Sequence, residues 1–452
     1  MAKTLFIKDL EDKINQEVTL TAWVNTIRDL GKVAFVDLKD STGRVQAVFD
    51  TLNDISLEDI VQVTGTVQKR ELKKEEPGLI PFELKATSIE VLTKSKLPPF
   101  PLSNDGTDID QALRLEYRYL DLRRPRLLNM LRVRHQFVKA IRDFLSEEGF
   151  LEIETPLLTK TTPEGARDFV VPSRLRKGEF YALPQSPQQY KQLLMIAGVE
   201  RYFQIAKCLR DEDLRADRAF EHTQLDLEIS HVTQDDVMNL IERMMSTICT
   251  HMGFKLKDAK FPRLTHEHVT KEFGSDKFDL RTENEKTSNV LAFAWVTDYP
   301  LFEKTEKGWT FSHNPFTAPT PATSENLTNG HPELVKSLQY DLVLNGFELG
   351  SGSIRMNDPE QMRSAFKIMG YNDESIEGDF GHLLRAYGFG SPVHGGIGMG
   401  IERPLMVMLN ETNLSEVVAF PQTYTGKTSV MSAPSKLDPK ILKELGIDVK
   451  ES

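Results

Sequence analysis

The first hundred residues alternate apolar and polar side chains in short runs. Val18 and Leu20 alternate with threonines and lead into Trp23, and similar runs follow at 33–38, 45–49, 61–67 and 82–92. Such alternation is typical of strands with one buried face. Several short strands within one hundred residues predict a small closed β-barrel. The proline-rich segment 96–101 cannot lie inside a sheet, because proline lacks an amide donor, so we place a domain boundary at residue 102.

The apolar periodicity becomes helical after a connecting segment at 103–126. Between Leu127 and Gly149 apolar residues recur on one helix face, and Gly149 suits a helix end. Strand-like and helical segments then alternate towards the C-terminus, except at 303–331, which is rich in Thr, Pro, Asn and Lys and is typical of a loop. We therefore predict an α+β chain with a barrel at 1–102, a linker at 103–126 and a larger domain at 127–452.

Composition narrows the class of protein. A chain of 452 residues exceeds the usual domain size. Its net charge of -11 argues against a general DNA-coating protein, although a local basic groove could still bind nucleic acid. Two cysteines, Cys208 and Cys249, are too few for a disulfide framework. The sequence has neither a signal-peptide core nor an apolar run of membrane-spanning length. We therefore expect a cytoplasmic protein that binds neither membranes nor DNA.

A charged stretch between two strand-like runs is the first candidate site. Residues 203–228 read FQIAKCLRDEDLRADRAFEHTQLDLE. A solvated loop is the simplest interpretation of such a run. However, Gln224, Asp226 and Glu228 alternate with leucines, so three polar groups share one face of a strand. Two polar-faced strands joined by a charged loop predict the floor of a polar pocket.

The second candidate is a hairpin with Asn345-Gly346 at its turn, a strong hairpin signal. This turn pairs 344 with 347 and 343 with 348. It places Asp341 diagonal to Glu348 on one face, about 7–8 Å apart. Two such carboxylates can share a divalent cation, and Mg²⁺ takes one or two carboxylates plus phosphate oxygens. A pair of exposed acids on an edge hairpin is the alternative.

An arginine follows the hairpin in the segment GSGSIR at 350–355. Strict alternation places Arg355 on the face opposite Glu348, unless a bulge at the glycines shifts the phase. A buried arginine beside acidic residues suits bidentate recognition of a carboxylate. On this segment alone, an exposed arginine is the alternative.

Several stretches together resemble the aspartyl-tRNA synthetase family, class II aminoacyl-tRNA synthetases, in its bacterial sequence type. The stretches that carry the resemblance are GFLEIETP at 149–156, RDE at 210–212 with QLD at 224–226, GMGIER at 398–403, TPEGARDF at 162–169 and LPQSPQ at 183–188. The resemblance implies an N-terminal OB-fold β-barrel followed by an antiparallel class II synthetase sheet flanked by helices. It also implies a homodimer.

For the barrel, the resemblance implies an anticodon-binding surface. The side chains assigned to it are Arg28, Phe35, Gln46 and Glu83. Phe35 would stack on the central anticodon base while Gln46 and Glu83 bind base edges, which is how OB-folds bind single strands. Without the resemblance, Phe35 would be interpreted as an ordinary core residue of a strand.

For the larger domain, the resemblance implies a two-step reaction. L-aspartate and ATP form aspartyl-adenylate with Mg²⁺, and the aspartyl group passes to the 3′ end of tRNA(Asp), with tRNA(Asn) left open. Two alternatives remain. An asparaginyl enzyme is disfavoured because two cations, Lys191 and Arg355, suit a carboxylate better than an amide. A non-catalytic tRNA-binding paralogue is disfavoured because the charged signature residues are intact.

The resemblance also assigns individual roles. Arg210 and Arg403 are the implied catalytic residues, at the α- and γ-phosphates of ATP. The implied aspartate-binding residues are Glu164, Gln188, Lys191, Arg210, Asp226, His313 and Arg355. The implied ATP-binding residues are Arg210, Asp211, Glu212, His222, Glu348, Gly400, Ile401, Glu402 and Arg403. The implied metal ligands are Asp341 and Glu348.

The sequence departs from the family pattern in four places within the larger domain, and in the barrel Thr26 and Ile27 stand where arginines are common. The large insertion domain between the second and third signatures is missing near 281–297. His222 stands where an aromatic ring that stacks on adenine is usual. Ala219 replaces a glutamine expected near ATP, and Asn314 replaces a second histidine. The changes in the larger domain bear on ATP affinity and on aspartate discrimination.

Overall fold

The computed structural model describes residues 5–52, 54–72, 78–162, 165–306 and 308–450, in two compact units, Met1–Arg132 with Ser429–Met431 and Val133–Thr428 with Ser432–Ser452. None of the described helices is both long and apolar enough to cross a bilayer. The described α-helices are α1 (Gln111–Glu116), α2 (Arg118–Asp121), α3 (Pro125–Glu147), α4 (Gln188–Ile196), α5 (Gln234–His251), α6 (His266–Phe273), α7 (Glu283–Thr287), α8 (Pro359–Ile368), α9 (Asp373–Tyr387), α10 (Glu402–Met408) and α11 (Pro439–Leu445).

The first unit contains the predicted barrel. Its described strands close in the order β1-β2-β3-β5-β4, with β3 parallel to β5 and the other neighbours antiparallel. Leu20, Ala22 and Val24, at every second position of β1, are buried in the barrel core. One face of the strand is therefore buried, as the alternation in the sequence predicted. The strands are β1 (Glu17–Asp29), β2 (Ala34–Lys39), β3 (Arg44–Phe49), β4 (Ile60–Lys69) and β5 (Leu79–Thr93).

Helix α3 confirms the helical periodicity predicted after Leu127. Phe137, Ile141 and Leu145 are fully buried and lie along one face. The helix ends at Glu147, and Gly149 has φ +81°. Glycine adopts this left-handed conformation without a Cβ penalty.

The second unit is built on one sheet, to which eight of its described strands belong. Their order is β11-β12-β15-β16-β17-β10-β9-β6. Only the outer pairs β6–β9 and β11–β12 are parallel, so the predicted antiparallel sheet is confirmed. The strands are β6 (Leu151–Glu152), β7 (Val170–Pro172), β8 (Phe180–Ala182), β9 (Arg201–Leu209), β10 (Glu221–Ser230), β11 (Arg263–Thr265), β12 (Phe293–Thr297), β13 (Phe302–Thr305), β14 (Gly308–Phe311), β15 (Gln339–Leu344), β16 (Phe347–Ile354) and β17 (His394–Gly400).

The segment 303–331 is not wholly loop, and that prediction was wrong. Strands β13 and β14 pair as an antiparallel hairpin within it. Phe302 and Phe311 stack across this hairpin with ring centroids 5.1 Å apart, and Phe311 also contacts Phe366 edge to face. Cross-strand aromatic pairs of this kind stabilise a hairpin whose sequence is otherwise rich in loop-forming residues.

Glycines on β17 make room for the polar face of β10. Asp226 pairs with Gly398 and Glu228 with Gly396. A Cβ at Gly396 would collide with Glu228 Oε2, and one at Gly398 would collide with Gln224 Nε2. The glycine-rich strand therefore lets three polar side chains lie flat across the middle of the sheet.

Candidate active site

A cavity of about 260 Å³ lies over the central strands of the second unit. Its lining includes cations at 191, 210, 355 and 403, so four positive side chains from separate segments of the chain face one space. The residues predicted from sequence that line it are Gln188, Lys191, Arg210, Glu212, His222, Asp226, His313, Glu348, Arg355, Gly400, Glu402 and Arg403.

Lys191 is held by acceptors of its own chain. Its Nζ donates to Asp226 Oδ1 at 2.8 Å, lies 3.2 Å from Glu228 Oε2, and reaches Leu227 O at 3.5 Å. An ammonium group has three N–H donors, and these three acceptors account for all of them. The geometry thus makes Lys191 a group that holds the two carboxylates in place.

Arg355 is also paired within the chain. Nε lies 2.8 Å from Glu228 Oε1 and Nη2 lies 3.1 Å from Glu228 Oε2, while Nη1 donates to Ser353 Oγ at 2.7 Å and Nη2 also to Gly396 O at 3.3 Å. The bidentate fork expected for a substrate carboxylate is therefore occupied by Glu228. Of the five guanidinium N–H groups, one on Nη1 is left for a ligand.

The pKa values of the two buried carboxylates of this cluster shift in opposite directions. Burial raises the pKa of Asp226, and Lys191 offsets this only in part. Burial would also raise the pKa of Glu228, but Arg355 and Lys191 outweigh it and lower that pKa to about 2. Glu228 is therefore a fixed anion, whereas Asp226 gains from a further cation beside it.

Three polar atoms in the lining have no hydrogen-bond partner among the residues that the structure describes. They are Asp226 Oδ2, Gln188 Nε2 and Arg210 Nε. Asp226 is 1% exposed and Gln188 is 5% exposed. A buried polar atom left unpaired costs about 1–3 kcal/mol, so this arrangement favours a ligand that offers an acceptor to the two nitrogens and a donor to the carboxylate.

The hairpin with the Asn345-Gly346 turn confirms the predicted pairs, 344 with 347 and 343 with 348. Between Leu342 and Val343 the register shifts, and Asp341 lies opposite Ser351. This bulge moves Arg355 onto the cavity-lining face together with Glu348. Strict alternation, which placed them on opposite faces, was therefore wrong.

A histidine joins the two predicted metal ligands. One ligand atom each of His313, Asp341 and Glu348 lies within 4.8 Å of the others. Asp341 lies behind the cavity lining, where its oxygens accept hydrogen bonds from Tyr299 at 3.0 Å, Gln339 at 3.1 Å and Ser351 at 2.6 Å. Burial and the neighbouring Glu348 raise the pKa of Asp341.

The arginine-rich part of the cavity lining is only half-buried. Arg403 Nη1 donates to Glu348 O at 2.8 Å, and its Nη2 lies 3.3 Å from Asp217 Oδ2. Glu212 is paired with Arg218 at 2.8 Å. Burial, and then the positive Arg210, lower the pKa of His222 to about 3, so its ring is neutral at physiological pH.

Some of the predicted ATP-binding side chains do not face the cavity. Asp211 lies outside the lining, with its carboxylate 3.6 Å from Arg167. Ile401 is buried and its amide donates to Thr223 O at 2.9 Å. Glu402 reaches the lining, but its carboxylate accepts from Arg134 at 2.7 Å and from the Thr223 amide at 3.1 Å. Glu164, assigned to aspartate binding, lies outside the described residues.

Ser353 and Lys277 were missed by the sequence interpretation, and Glu228 was predicted on the polar face of its strand but received no individual role. Glu228 could have been assigned, because the alternation that selected Asp226 puts Glu228 on the same strand face. Ser353 lies on the cavity face because of the bulge in β16. Lys277, whose Nζ lies 3.2 Å from Glu348 Oε2, comes from a loop far away in sequence. Neither of the latter two carries a local sequence signal.

The four predicted anticodon residues lie on one face of the barrel. Gln46 accepts from Arg28 at 3.2 Å and donates to Glu83 at 3.4 Å. The Arg28 guanidinium lies 5.9 Å from the centroid of the half-buried Phe35 ring. These four side chains form one contiguous polar and aromatic surface, and their role in binding an anticodon stays a prediction.

Comparison with known proteins identifies relatives over nearly the whole chain. A family model described as tRNA synthetases class II (D, K and N) matches residues 110–424, and one for an OB-fold nucleic acid binding domain matches residues 18–92. The curated aspartate–tRNA ligase of Staphylococcus aureus (strain NCTC 8325 / PS 47) is 36% identical over 574 aligned positions, which cover 97% of each chain. Because this chain has only 452 residues, the relative contains long stretches with no counterpart here.

Solved structures share the fold. An aspartyl tRNA synthetase from Entamoeba histolytica aligns with a TM-score of 0.73 at 21% identity, covering 93% of this chain and 91% of that one. Asparaginyl-tRNA synthetase from Pyrococcus horikoshii, solved with asparaginyl-adenylate, aligns with a TM-score of 0.75 at 22% identity, covering 94% and 99%. At such identities these structures support the fold and do not distinguish between amino-acid substrates.

Proposed function

The chain belongs to the class II tRNA synthetases of the D, K and N group, and we propose on this basis that it is an aspartate–tRNA ligase. It would activate L-aspartate with ATP to aspartyl-adenylate and transfer the aspartyl group to tRNA(Asp). The relative at 36% identity bears that activity in its name.

One observation carries the proposal: among the described residues, the buried part of the cavity combines unpaired donors with an unpaired acceptor. Asp226 Oδ2 is suited to the substrate ammonium, whose charge would offset the burial that raises the pKa of Asp226. Gln188 Nε2 and the remaining N–H of Arg355 Nη1 are suited to carboxylate oxygens. Lys191 and Glu228 would act as positioning residues, because their contacts are to the chain itself.

ATP is a substrate of this class of enzyme, and the arginine-rich part of the cavity is suited to its phosphates. Arg210 and Arg403 would neutralise charge that develops as the α-phosphate is attacked, which is how such displacements are accelerated. Glu212 and His222 would meet the adenine, one as an acceptor and one as a stacking ring.

The residues present fit a Mg²⁺ ion. Asp341 and Glu348 offer the carboxylate oxygens that Mg²⁺ prefers, and Asp341 has no ion pair to balance its charge within the described chain. These two residues would hold the ion, with His313 beside them, and the ion would neutralise phosphate charge. Glu164 and His313 remain proposed aspartate-binding residues.

The barrel would bind the anticodon through Arg28, Phe35, Gln46 and Glu83. A homodimer is supported by apolar side chains that the second unit leaves exposed in β6, in the segment after it, and in β7 and β8. These include Leu151, Leu157, Leu158, Val170 and Phe180. Charging of tRNA(Asn) as a second substrate and a cytoplasmic location stay predictions.

Pyrophosphate exchange with single amino acids tests the proposed activity, because the first step needs no tRNA. We expect ATP–pyrophosphate exchange with aspartate and none with asparagine or lysine. Exchange with asparagine alone would reassign the substrate, and no exchange at all would indicate a non-catalytic paralogue. Aspartylation of tRNA(Asp) and tRNA(Asn) transcripts then defines the nucleic acid substrate.

A further inference from the structure

Three neutral donors surround the carboxylate of Asp341, one of the two proposed metal ligands. Its Oδ1 accepts hydrogen bonds from Gln339 Nε2 at 3.1 Å and from Ser351 Oγ at 2.6 Å, and its Oδ2 accepts one from the Tyr299 hydroxyl at 3.0 Å. Asp341 is 3% exposed, so these contacts take the place of water around the carboxylate. None of the roles assigned above belongs to the three donors.

The order and register of the sheet bring two of these donors to Asp341. Gln339 lies two positions before Asp341 on β15, so both side chains lie on the same face of the strand. Ser351 lies opposite Asp341 on β16 because the register shifts at the bulge. Without that shift Asp341 would lie opposite Gly350, which has no side chain that could donate.

The third donor, Tyr299, is fixed both by its backbone and by its ring. It follows β12, the strand that pairs with the other side of β15. Its carbonyl oxygen accepts from the Ser337 amide at 2.8 Å and from the Ser337 hydroxyl at 3.1 Å. Its ring packs against His266 with the ring centroids 4.7 Å apart, and the residue is 5% exposed. The Tyr299 hydroxyl is therefore held in place beside Asp341.

Asp341 differs from Glu228, another buried carboxylate of the same sheet, in the charge of its partners. Glu228 is paired with Arg355 and Lys191, whereas the described donors to Asp341 are neutral. Neutral donors stabilise an anion without cancelling its charge. An ionised carboxylate has about four lone-pair sites, and the three donors occupy three of them. Among the described residues, one site on Oδ2 is therefore left for a cation.

We propose that Tyr299, Gln339 and Ser351 are positioning residues of the metal site, which hold the Asp341 carboxylate in one orientation and so set the affinity for a divalent cation. The proposal rests on the metal role of Asp341 and Glu348 in the function proposed above. Removing a hydrogen-bond partner of a metal ligand typically costs about 10–100-fold in metal affinity.

Tyr299 gives the sharpest test of the three. Gln339 and Ser351 line the cavity, where they could contact a substrate directly, whereas Tyr299 lies outside the lining. An effect of Tyr299 on metal binding must therefore pass through Asp341. Tyr299→Phe removes only the hydroxyl and keeps the ring that packs against His266.

Binding of Mn²⁺ to the full chain without nucleotide tests the proposal. Mn²⁺ takes the same oxygen ligands as Mg²⁺, and the electron paramagnetic resonance signal of the unbound ion gives its free concentration. We expect the wild type to bind Mn²⁺ and Tyr299→Phe to bind it about tenfold more weakly at the same stoichiometry. Glu348→Gln should weaken the same binding, which assigns the ion to this site. Tyr371→Phe, the matched change between α8 and α9, should bind Mn²⁺ like the wild type.

Pyrophosphate exchange separates positioning from a purely structural role. In Tyr299→Phe the Mg²⁺ concentration for half-maximal exchange should rise about tenfold, while kcat at saturating Mg²⁺ should return to the wild-type value. A hydroxyl that served only the fold would lower the melting temperature without moving the Mg²⁺ midpoint, and that result would contradict the proposal.

The Mn²⁺ titration also decides the proposal by itself. The proposal is wrong if Tyr299→Phe binds Mn²⁺ as tightly as the wild type does, or if the wild type binds none at millimolar MnCl₂. If Tyr299→Phe does not fold, Ser351→Ala, which removes the hydroxyl at Oδ1, is measured in its place. A protein that shows no exchange with any amino acid would refute the proposed function, while the Mn²⁺ titration would still decide the role of Tyr299.

Discussion

Glu228 binds Arg355 through both carboxylate oxygens, with Arg355 Nε 2.8 Å from Oε1 and Nη2 3.1 Å from Oε2. Both side chains are almost fully buried, at 0% and 3% exposure. Charge-assisted bidentate pairs are short and directional. The pair therefore fixes the orientation of the guanidinium before any substrate enters, and Lys191 holds Glu228 from a second direction.

Removing one partner of this pair should destabilise the fold more than removing both. Arg355→Leu leaves Glu228 buried with one cation fewer, which we expect to lower the free energy of unfolding by about 3–5 kcal/mol. The double variant with Glu228→Gln should regain part of that loss, because no unbalanced charge remains. Urea denaturation of the wild type, both single variants and the double variant measures the coupling, and strictly additive losses would contradict it.

Arg355→Leu should also separate aspartate use from ATP binding. We expect kcat/KM for aspartate in pyrophosphate exchange to fall about a hundredfold, close to 3 kcal/mol, because the buried donor to the substrate is lost. KM for ATP should change by less than about threefold. Arg363→Leu on helix α8 is the matched control. Unchanged aspartate kinetics in Arg355→Leu would exclude the proposed contact.

Acid should weaken the fold through Glu228. Its pKa is about 2 in the folded chain, against an ordinary value of 4.5. Above pH 4.5 Glu228 is ionised in both the folded and the unfolded chain, and its contribution to the free energy of unfolding is complete. As the pH falls from 4.5 towards 2, Glu228 takes up a proton in the unfolded chain before it does so in the folded chain. The free energy of unfolding therefore falls by about 3 kcal/mol. The stability gap between wild type and Glu228→Gln should therefore narrow over this range, and a gap independent of pH would refute the shifted pKa.

The hairpin illustrates what the sequence can and cannot predict. Asn345-Gly346 specifies its turn locally, and the predicted pairs on either side are confirmed. The bulge near Leu342 depends on close packing instead, since a Cβ at Gly350 would strike Gly398 O on the neighbouring strand. Alternation cannot locate such a bulge, so the face of Arg355 could not be predicted.

The polar cluster of Asp226, Glu228 and Arg355 was also predictable only in part from the sequence. The face shared by Asp226 and Glu228 follows from the period of two along β10. The pairing of Glu228 with Arg355 joins residues 127 positions apart, and only the tertiary order of β10, β17 and β16 brings them together. Resemblance assigned Arg355 to the substrate but gave no sign of its partner within the chain.

The Mg²⁺ dependence of the exchange activity should change when one carboxylate of the pair Asp341 and Glu348 is removed. Glu348→Gln removes one of two charged oxygen ligands, so we expect the Mg²⁺ concentration for half-maximal pyrophosphate exchange to rise about tenfold. Titration of exchange activity with MgCl₂ measures it. Glu374→Gln, an exposed acid on helix α9, is the control and should titrate like the wild type. The same Mg²⁺ midpoint in Glu348→Gln would remove this residue from the metal site.

His222 should make ATP binding weaker than a phenylalanine would, without making it sensitive to pH. Burial and Arg210 lower the pKa of His222 to about 3, so the ring stays neutral from pH 5 to 8 and KM for ATP should show no step near pH 6.5, the ordinary histidine value. His222→Phe enlarges the stacking surface, and we expect KM for ATP to fall about fivefold with kcat little changed. Exchange kinetics at several pH values measure both effects. A step in the wild-type profile of KM against pH, absent from His222→Phe, would mean that the ring titrates. A higher KM for ATP in His222→Phe would mean that the imidazole binds ATP by a hydrogen bond and not by stacking.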